Sequence, residues 1–177
     1  RALVEAALDR AKAGGKPVVE IMIPLTVTRE EMAEARGWVT EAIAQALHGS
    51  RRKLDITIGT MIETPRAAVR ADEIAEVADF FSFGTNDLTQ MAFGFSRDDV
   101  ESRVMPVYLE HGLLRRNPFD TIDVDGVGDL VATAVERGRR ANSHLKLGVC
   151  GEHGGDPASI AFFQRVGLDY VSCSPFR

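Results

Sequence analysis

Cysteine is scarce: the 177-residue chain has two, Cys150 and Cys173, and their spacing matches no metal-binding motif. Two such residues suit free thiols in a reducing compartment better than a disulfide framework. No apolar run approaches the roughly 20 residues that span a bilayer, and no signal-peptide pattern opens the chain, so a cytoplasmic protein without a membrane partner is expected. A dense basic face is missing as well. The formal net charge is −5, and the tightest basic cluster, Arg51-Arg52-Lys53, reads as a solvated turn, so nucleic acid is not expected as a partner. Aromatics make up only 7%, and neither repeats nor low-complexity segments occur. What is present, 45% hydrophobic and 27% charged residues, is enough to bury a core in a globular fold.

Five short strand-like runs occupy 16–24, 54–63, 79–87, 145–152 and 169–175, most of them continuous apolar stretches of the kind covered on both faces in a parallel sheet. Helical patterns separate them. One over 28–49 opens with a Thr28/Glu31 capping box, another over 64–79 has Thr64 and Pro65 at its start, and a third repeats that arrangement with Asp156 and Pro157 and stops on Gly167. Alternating strands and helices imply right-handed βαβ crossovers. A closed (β/α)8 TIM barrel needs about 250 residues, so the chain is expected to hold about the last five strands of one. A doubly wound sheet fits the element count equally well, but no Gly-rich phosphate loop follows the first run. Arg1 stands inside a helical pattern, which suggests that the chain was cut from a longer one. The stretch at about 91–125 is longer than a βα connection requires and is expected to form a lid or subdomain at the barrel mouth.

Glu63, Asn86, Asp87, Cys150 and Glu152 fall at or just beyond the C-terminal ends of these runs, the active-site end of an α/β barrel, while Tyr170 begins the fifth. Two carboxylates from neighbouring strand ends, Glu63 and Asp87, are suited to share a hard cation such as Mg²⁺. The "GTND" turn, Gly84 to Asp87, adds backbone N–H groups, the Thr85 hydroxyl and the Asn86 amide as donors for a phosphate or carboxylate. Each residue also has a plainer role open to it. Asp87 can cap a helix starting near Leu88, Glu63 can cap or pair with Arg66, and Cys150 can be a small buried apolar residue. His153 reads as a satisfied loop residue, Cys173 as barrel filling, and Met61, Met91, Phe93 and Phe95 as core or mouth packing. The coincidence of the first group at one structural level favours a site.

The stretch "IGTMIETPRAAVRADEIAEVADFFSFGTNDLTQMAFGFSRDD", with "GVCGEHGGDPASIAFFQRVGLDYVSCSPFR" after it, resembles the C-terminal phosphoenolpyruvate/pyruvate-binding barrel of the PEP-utilising enzymes. The likeness covers about 17–177, and residues 1–177 are expected to form a single segment of that barrel. Within that family "VCGEHGGDP", "YVSCSPFR" and "MPVYLEHGLLRRNPFDTID" resemble the pyruvate, phosphate dikinases; phosphoenolpyruvate synthase and enzyme I of the sugar phosphotransferase system share the shorter cores.

The resemblance implies a phosphotransferase that interconverts ATP, phosphate and pyruvate with AMP, pyrophosphate and phosphoenolpyruvate through a phosphohistidine on another domain. By the family's motifs, Glu63 and Asp87 would hold Mg²⁺. The substrate would meet Glu63, Ser82, Gly84, Thr85, Asn86 and Asp87, with Tyr170 and Ser82 supporting the thiol. Cys150 would carry the proton at the substrate's methyl carbon. ATP-binding and phosphohistidine domains of the same parent, and a second copy in a homodimer, are the implied partners. A plastid is the alternative compartment. Other enolate chemistry on the same barrel, or an interaction module, are the competing readings. The substrate-binding arginines of the family are expected to lie outside this chain.

Overall fold

Each strand-like run forms a strand one to three residues shorter at either end, in a computed structural model that describes residues 1–175. The last two residues of "YVSCSPFR" lie outside the described residues. The strands are β1 (Val18–Ile23), β2 (Asp55–Ile62), β3 (Phe80–Gly84), β4 (Lys146–Cys150) and β5 (Tyr170–Ser172), all parallel and in the order β1-β2-β3-β4-β5. A doubly wound sheet reverses its order at a switch point; this one does not. It also curls. In a flat sheet β1 and β4 would stand about 14 Å apart, yet Lys146 Nζ lies 2.7 Å from Glu20 Oε1. The result is an α/β half-barrel of the kind that five strands of a (β/α)8 barrel would form.

The two faces of the sheet differ because side chains alternate along each strand. Ile58, Ile62, Phe81, Phe83, Leu147 and Val149 face outward, all at most 5% exposed, beneath the helices. The concave face carries Glu20, Met61, Ser82, Gly84, Cys150 and Tyr170, with Gly84 opposite Cys150 and Gly148 opposite Tyr170. A Cβ at Gly148 would collide with the Tyr170 ring. This glycine therefore makes room for an aromatic side chain across the sheet.

Helix α1 (Ala2–Lys12) precedes β1, and α2 (Arg29–Leu47) follows it behind the complete Thr28/Glu31 capping box. The single helix expected over 64–79 is two: α3 (Pro65–Val69), capped by Thr64, and α4 (Ala71–Ala75). Arg70 breaks the run with φ −118° and ψ 28°, and the break lets the fully buried Ala67, Ala68 and Ala71 pack closely. Helix α5 (Thr85–Phe93) starts directly at the end of β3. The long excursion contributes α6 (Arg97–Val100) and α7 (Met105–Glu110) around a small core of Val100, Met105 and Phe119. Helix α8 (Val127–Ala141) covers α3 and α4, and α9 (Pro157–Val166) runs from its Asp156 cap to Gly167.

One joint occurs twice at the N-terminal end of the sheet. Asp79, just before β3, accepts the Ile58 amide at 2.7 Å and takes Arg36 Nη2 on both carboxylate oxygens at 3.0 Å, while Arg36 Nη1 donates to the Ile58 carbonyl at 2.8 Å. Asp169, just before β5, accepts the Leu147 amide at 2.7 Å and pairs with Arg139 at 3.0 and 3.2 Å. Each aspartate ties a strand start to the preceding strand and to a helix on the outer layer. In both joints a single guanidinium nitrogen spans the two carboxylate oxygens.

Among the described residues β1 and β5 have no partner on their outer edges, and Val18, 68% exposed, lies on the concave face. Unpaired edges recruit other strands. The 177-residue chain made alone is expected to self-associate, with a melting temperature that depends on concentration; cooperative, concentration-independent melting of a monomer would contradict this.

Candidate functional site

The C-terminal ends of β2, β3 and β4 bring two carboxylates and a thiol to one rim. Glu63 follows β2 directly and is only 2% exposed. Its Oε1 accepts the Leu25 amide at 2.7 Å. That amide is presented by an unusual backbone: Leu25 has φ +54°, the single left-handed non-glycine residue among those described. On the other side, a Cβ at Gly84 would strike the Glu63 carboxylate and the Met61 methyl group, so glycine there leaves the carboxylate its place. Neither plainer role for Glu63 is realised. Thr64 caps α3, and Arg66 donates to the Val27 carbonyl at 2.6 Å.

Asp87 does not cap a helix near Leu88. Helix α5 begins three residues earlier than that expectation required, at Thr85, so Asp87 sits inside the first turn. There it meets Glu63. Burial is the main influence raising the Glu63 carboxyl above its ordinary range; the Leu25 amide opposes it, and Asp87 adds to it through charge and hydrogen bonding. Two carboxylates pressed together this way repel unless a proton or a cation lies between them. No group of three or more His, Cys, Asp or Glu side chains suited to a metal occurs among the described residues. A two-carboxylate set is nevertheless the kind of site Mg²⁺ uses, since it keeps several waters and takes further oxygens from a substrate.

Cys150 ends β4, half-buried, and its thiol donates to the Phe83 carbonyl at 3.7 Å. Burial chiefly, with contact to Ser82 opposing and the charges of Glu63 and Asp87 assisting, holds the thiol above its usual range. Ser82, opposite Gly148 in the register, is a neighbour of both Cys150 and Tyr170 on the concave face. Burial likewise raises the Tyr170 phenol, against the influence of Ser82. These groups form one connected set on the concave face: Glu63 and Asp87, then Cys150, Ser82 and Tyr170.

The remaining "GTND" residues divide. Thr85 is fully buried, and its Oγ1 lies 2.7 Å from His153 Nδ1, while His153 Nε2 lies 2.8 Å from the Pro118 carbonyl. A carbonyl can only accept, so Nε2 carries the proton; burial lowers the pKa of this ring, and the neutral Nδ1 accepts the Thr85 hydroxyl. The Thr85 proton is thus committed to His153, and His153 is the satisfied loop residue expected. Asn86 Oδ1 is taken by Arg97 Nη1 at 3.1 Å, and the same Nη1 reaches Glu152 Oε1 at 3.1 Å. A guanidinium has only donors, so it selects the amide oxygen and leaves the Asn86 N–H₂ group for another acceptor.

Arg97 is the residue that sequence reasoning missed. It belongs to the excursion, stacks over Phe119 at 5.4 Å and has its amide fixed by Gln90 Oε1 at 2.9 Å, so the excursion does deliver an arginine to the rim. The signal was available in "GFSRDD", but its proximity to Asn86 depends on how the chain turns after α5. Two packing expectations also change. Cys173 is exposed, because it lies past the end of β5 at a sheet edge, and Met91 is 47% exposed on α5, whereas Phe93 and Phe95 do stack, 5.4 Å apart.

With this arrangement in place, comparison identifies the class: the profile of the family described as "PEP-utilising enzyme, PEP-binding domain" matches residues 1–177, and the chain belongs to that family. Its relatives include pyruvate, phosphate dikinase 2 of Oryza sativa subsp. japonica, 53% identical over 177 residues, and pyruvate, phosphate dikinase 2 of Zea mays, 52% identical over 177. Pyruvate, phosphate dikinase 1, chloroplastic, of Oryza sativa subsp. japonica is 52% identical over the same 177 residues. In each case all of this chain is covered, but only 20%, 20% and 19% of the relative, so the chain spans about a fifth of the length of these proteins. The solved structure of citrate synthase SbnG matches with a TM-score of 0.51 at 17% identity, over 97% of this chain and 60% of that one, a likeness of fold alone. No helix among the described residues is long and apolar enough to cross a membrane.

The His153 contacts set a pH dependence. A histidine whose folded pKa is depressed stabilises the fold fully above the unfolded value of about 6.5, and that stability is lost as pH falls through the window below it, by at most about 1.4 kcal/mol per pH unit. His153→Gln in the full-length protein is expected to lower stability at pH 7.5 while flattening the loss between pH 6.5 and 5.5, as measured by urea denaturation at each pH; an unchanged slope would mean that His153 does not stay neutral.

Proposed function

We propose that this chain is the phosphoenolpyruvate/pyruvate-handling part of a pyruvate, phosphate dikinase. The observation that carries the proposal is the convergence of the buried Glu63, its neighbour Asp87 and the Cys150 thiol on one rim. The dikinase relatives cover the chain from end to end and favour this over phosphoenolpyruvate synthase or enzyme I of the sugar phosphotransferase system.

In this reading Glu63 and Asp87 hold Mg²⁺. The metal, when bound, supplies a Lewis acid for the oxygen on which charge develops as pyruvate becomes an enolate. The unpaired N–H groups of the first turn of α5, with the Asn86 N–H₂ turned away from Arg97, are the donors available to an anionic substrate. Ser82 supports the thiol, and Gly84 keeps the space between carboxylate and strand open. Thr85 acts from beneath, holding the turn through His153. Cys150 carries the proton: burial keeps its S–H intact at neutral pH, which suits donation to C3 of the enolate left when phosphoenolpyruvate gives up its phosphoryl group. In the opposite direction the thiolate removes a proton from the pyruvate methyl group, and the enolate oxygen takes the phosphoryl group from a histidine elsewhere in the parent. The nucleotide half of the reaction, homodimer formation, and a cytoplasmic or, as in the chloroplastic relatives, plastid location belong to the parent protein in this proposal.

Two substitutions in the full-length protein test the division of work. Glu63→Ala is expected to abolish pyruvate-side chemistry while ATP-dependent histidine phosphorylation continues; near-normal overall turnover would reduce Glu63 to a buried structural carboxylate. Cys150→Ala is expected to keep Mg²⁺ and pyruvate binding but to slow exchange of the pyruvate methyl protons with deuterated solvent by about 10² to 10⁴. Exchange at the wild-type rate would leave Cys150 as a small residue lining the rim.

A further inference from the structure

Below the rim, the concave face holds an ion pair that the proposed chemistry does not use. Lys146, the first residue of β4, reaches across the curled sheet to Glu20 of β1, Nζ to Oε1 at 2.7 Å. The same ammonium lies 4.8 Å from the centroid of the Tyr170 ring. Under that ring is Gly148, where any Cβ would collide with it. The ring is therefore held from two sides, by a bare backbone and by a cation, and the cation is itself anchored three strands away. Ser82 stands opposite that same Gly148 on β3, with Cys150 two residues farther along β4, so Tyr170, Ser82 and Cys150 share one patch of the concave face.

We infer that Lys146, anchored by Glu20, is a positioning residue for the thiol: it clamps the Tyr170 ring against Gly148 so that the phenol holds Ser82, and Ser82 holds Cys150. A hydroxyl has one proton to give, so what Ser82 offers the sulfur depends on where Tyr170 holds it, while the thiol S–H is directed to the Phe83 carbonyl in the resting site. Loosening the ring frees Ser82 to turn and the sulfur to leave the line of approach to C3, and misplacement by about 1 Å costs on the order of a hundredfold in rate. Two other features argue that Lys146 acts through Tyr170 and not on substrate. It sits at the start of β4, four residues before Cys150 and at the opposite end of the strand from the rim, and its charge is already paired.

The inference rests on the reading of Cys150 as proton carrier, and the test separates the two. In the full-length protein, Lys146→Ala is expected to lower kcat for exchange of the pyruvate methyl protons by about tenfold or more, with KM for pyruvate and the Mg²⁺ requirement within twofold. Hydroxyl-radical footprinting read at the Tyr170 peptide is expected to show faster oxidation of the freed ring. Lys146→Arg, which keeps the cation over the ring and the pairing with Glu20, is expected to restore both readouts to within about threefold of wild type. Glu20→Gln is expected to fall between, and it carries the test with Lys146→Arg if Lys146→Ala fails to fold. Exchange at the wild-type rate in Lys146→Ala overturns the inference. So does a raised KM with unchanged kcat, which would make Lys146 a substrate-binding group, or lost exchange without a change at Tyr170. If the wild-type protein itself exchanges no methyl protons, the function proposed for Cys150 falls, whereas the clamp is still judged by the footprint at Tyr170.

Discussion

A carboxylate that is 2% exposed and faces a second carboxylate is costly to build, and the rim of this half-barrel is organised around meeting that cost at Glu63. Two separate segments answer it: Leu25 takes a left-handed backbone conformation to aim its amide at Oε1, and Gly84 gives up a side chain to leave the carboxylate its volume. A third, α5, adds to the cost by starting early enough to bring Asp87 alongside. Strain and repulsion retained together at one point are what the Mg²⁺ role proposed for this pair would explain.

The parallel order of the strands explains why such distant residues can cooperate. Successive strands end at the same level, so residues that follow β2, β3 and β4 share one rim although they are separated by up to 87 positions in the chain, from Glu63 to Cys150. The opposite end is fastened by the two aspartate joints, Asp79 with Arg36 and Asp169 with Arg139, which hold strand starts to the outer helices. The joints and the proposed site thus occupy opposite ends of the sheet, as stability and chemistry do in α/β barrels generally. The concave face connects them, through Lys146 and Tyr170 below and Ser82 and Cys150 above.

Much of this was legible in the sequence because it is local. The five strands, the capping box at Thr28 and Glu31, the Thr64 and Asp156 caps and the Gly167 stop are each set by a few adjacent residues, and the structure contains all of them. The motif residues Glu63, Asp87 and Cys150 were also named from their positions relative to strand ends, and Ser82 from the family resemblance. The chain's order of apolar runs and breakers was sufficient for that, since βαβ crossovers carry one hand and strand ends fall into line without further information.

Tertiary structure alone decided which side chains meet and what remains free to act. No local pattern reveals that Arg97 leaves its own excursion to hold Asn86, that the Thr85 hydroxyl is spent on His153, or that Gly148 exists for the ring of Tyr170. Nor does any local pattern reveal the break at Arg70 or the pairing of Glu20 with Lys146 across 126 positions. The physical reason is the same in each case. Secondary structure follows from torsional preference and hydrogen bonding within a few residues, whereas these contacts depend on the curl of the sheet and on the volume left between elements, and both exist only once the whole chain has packed.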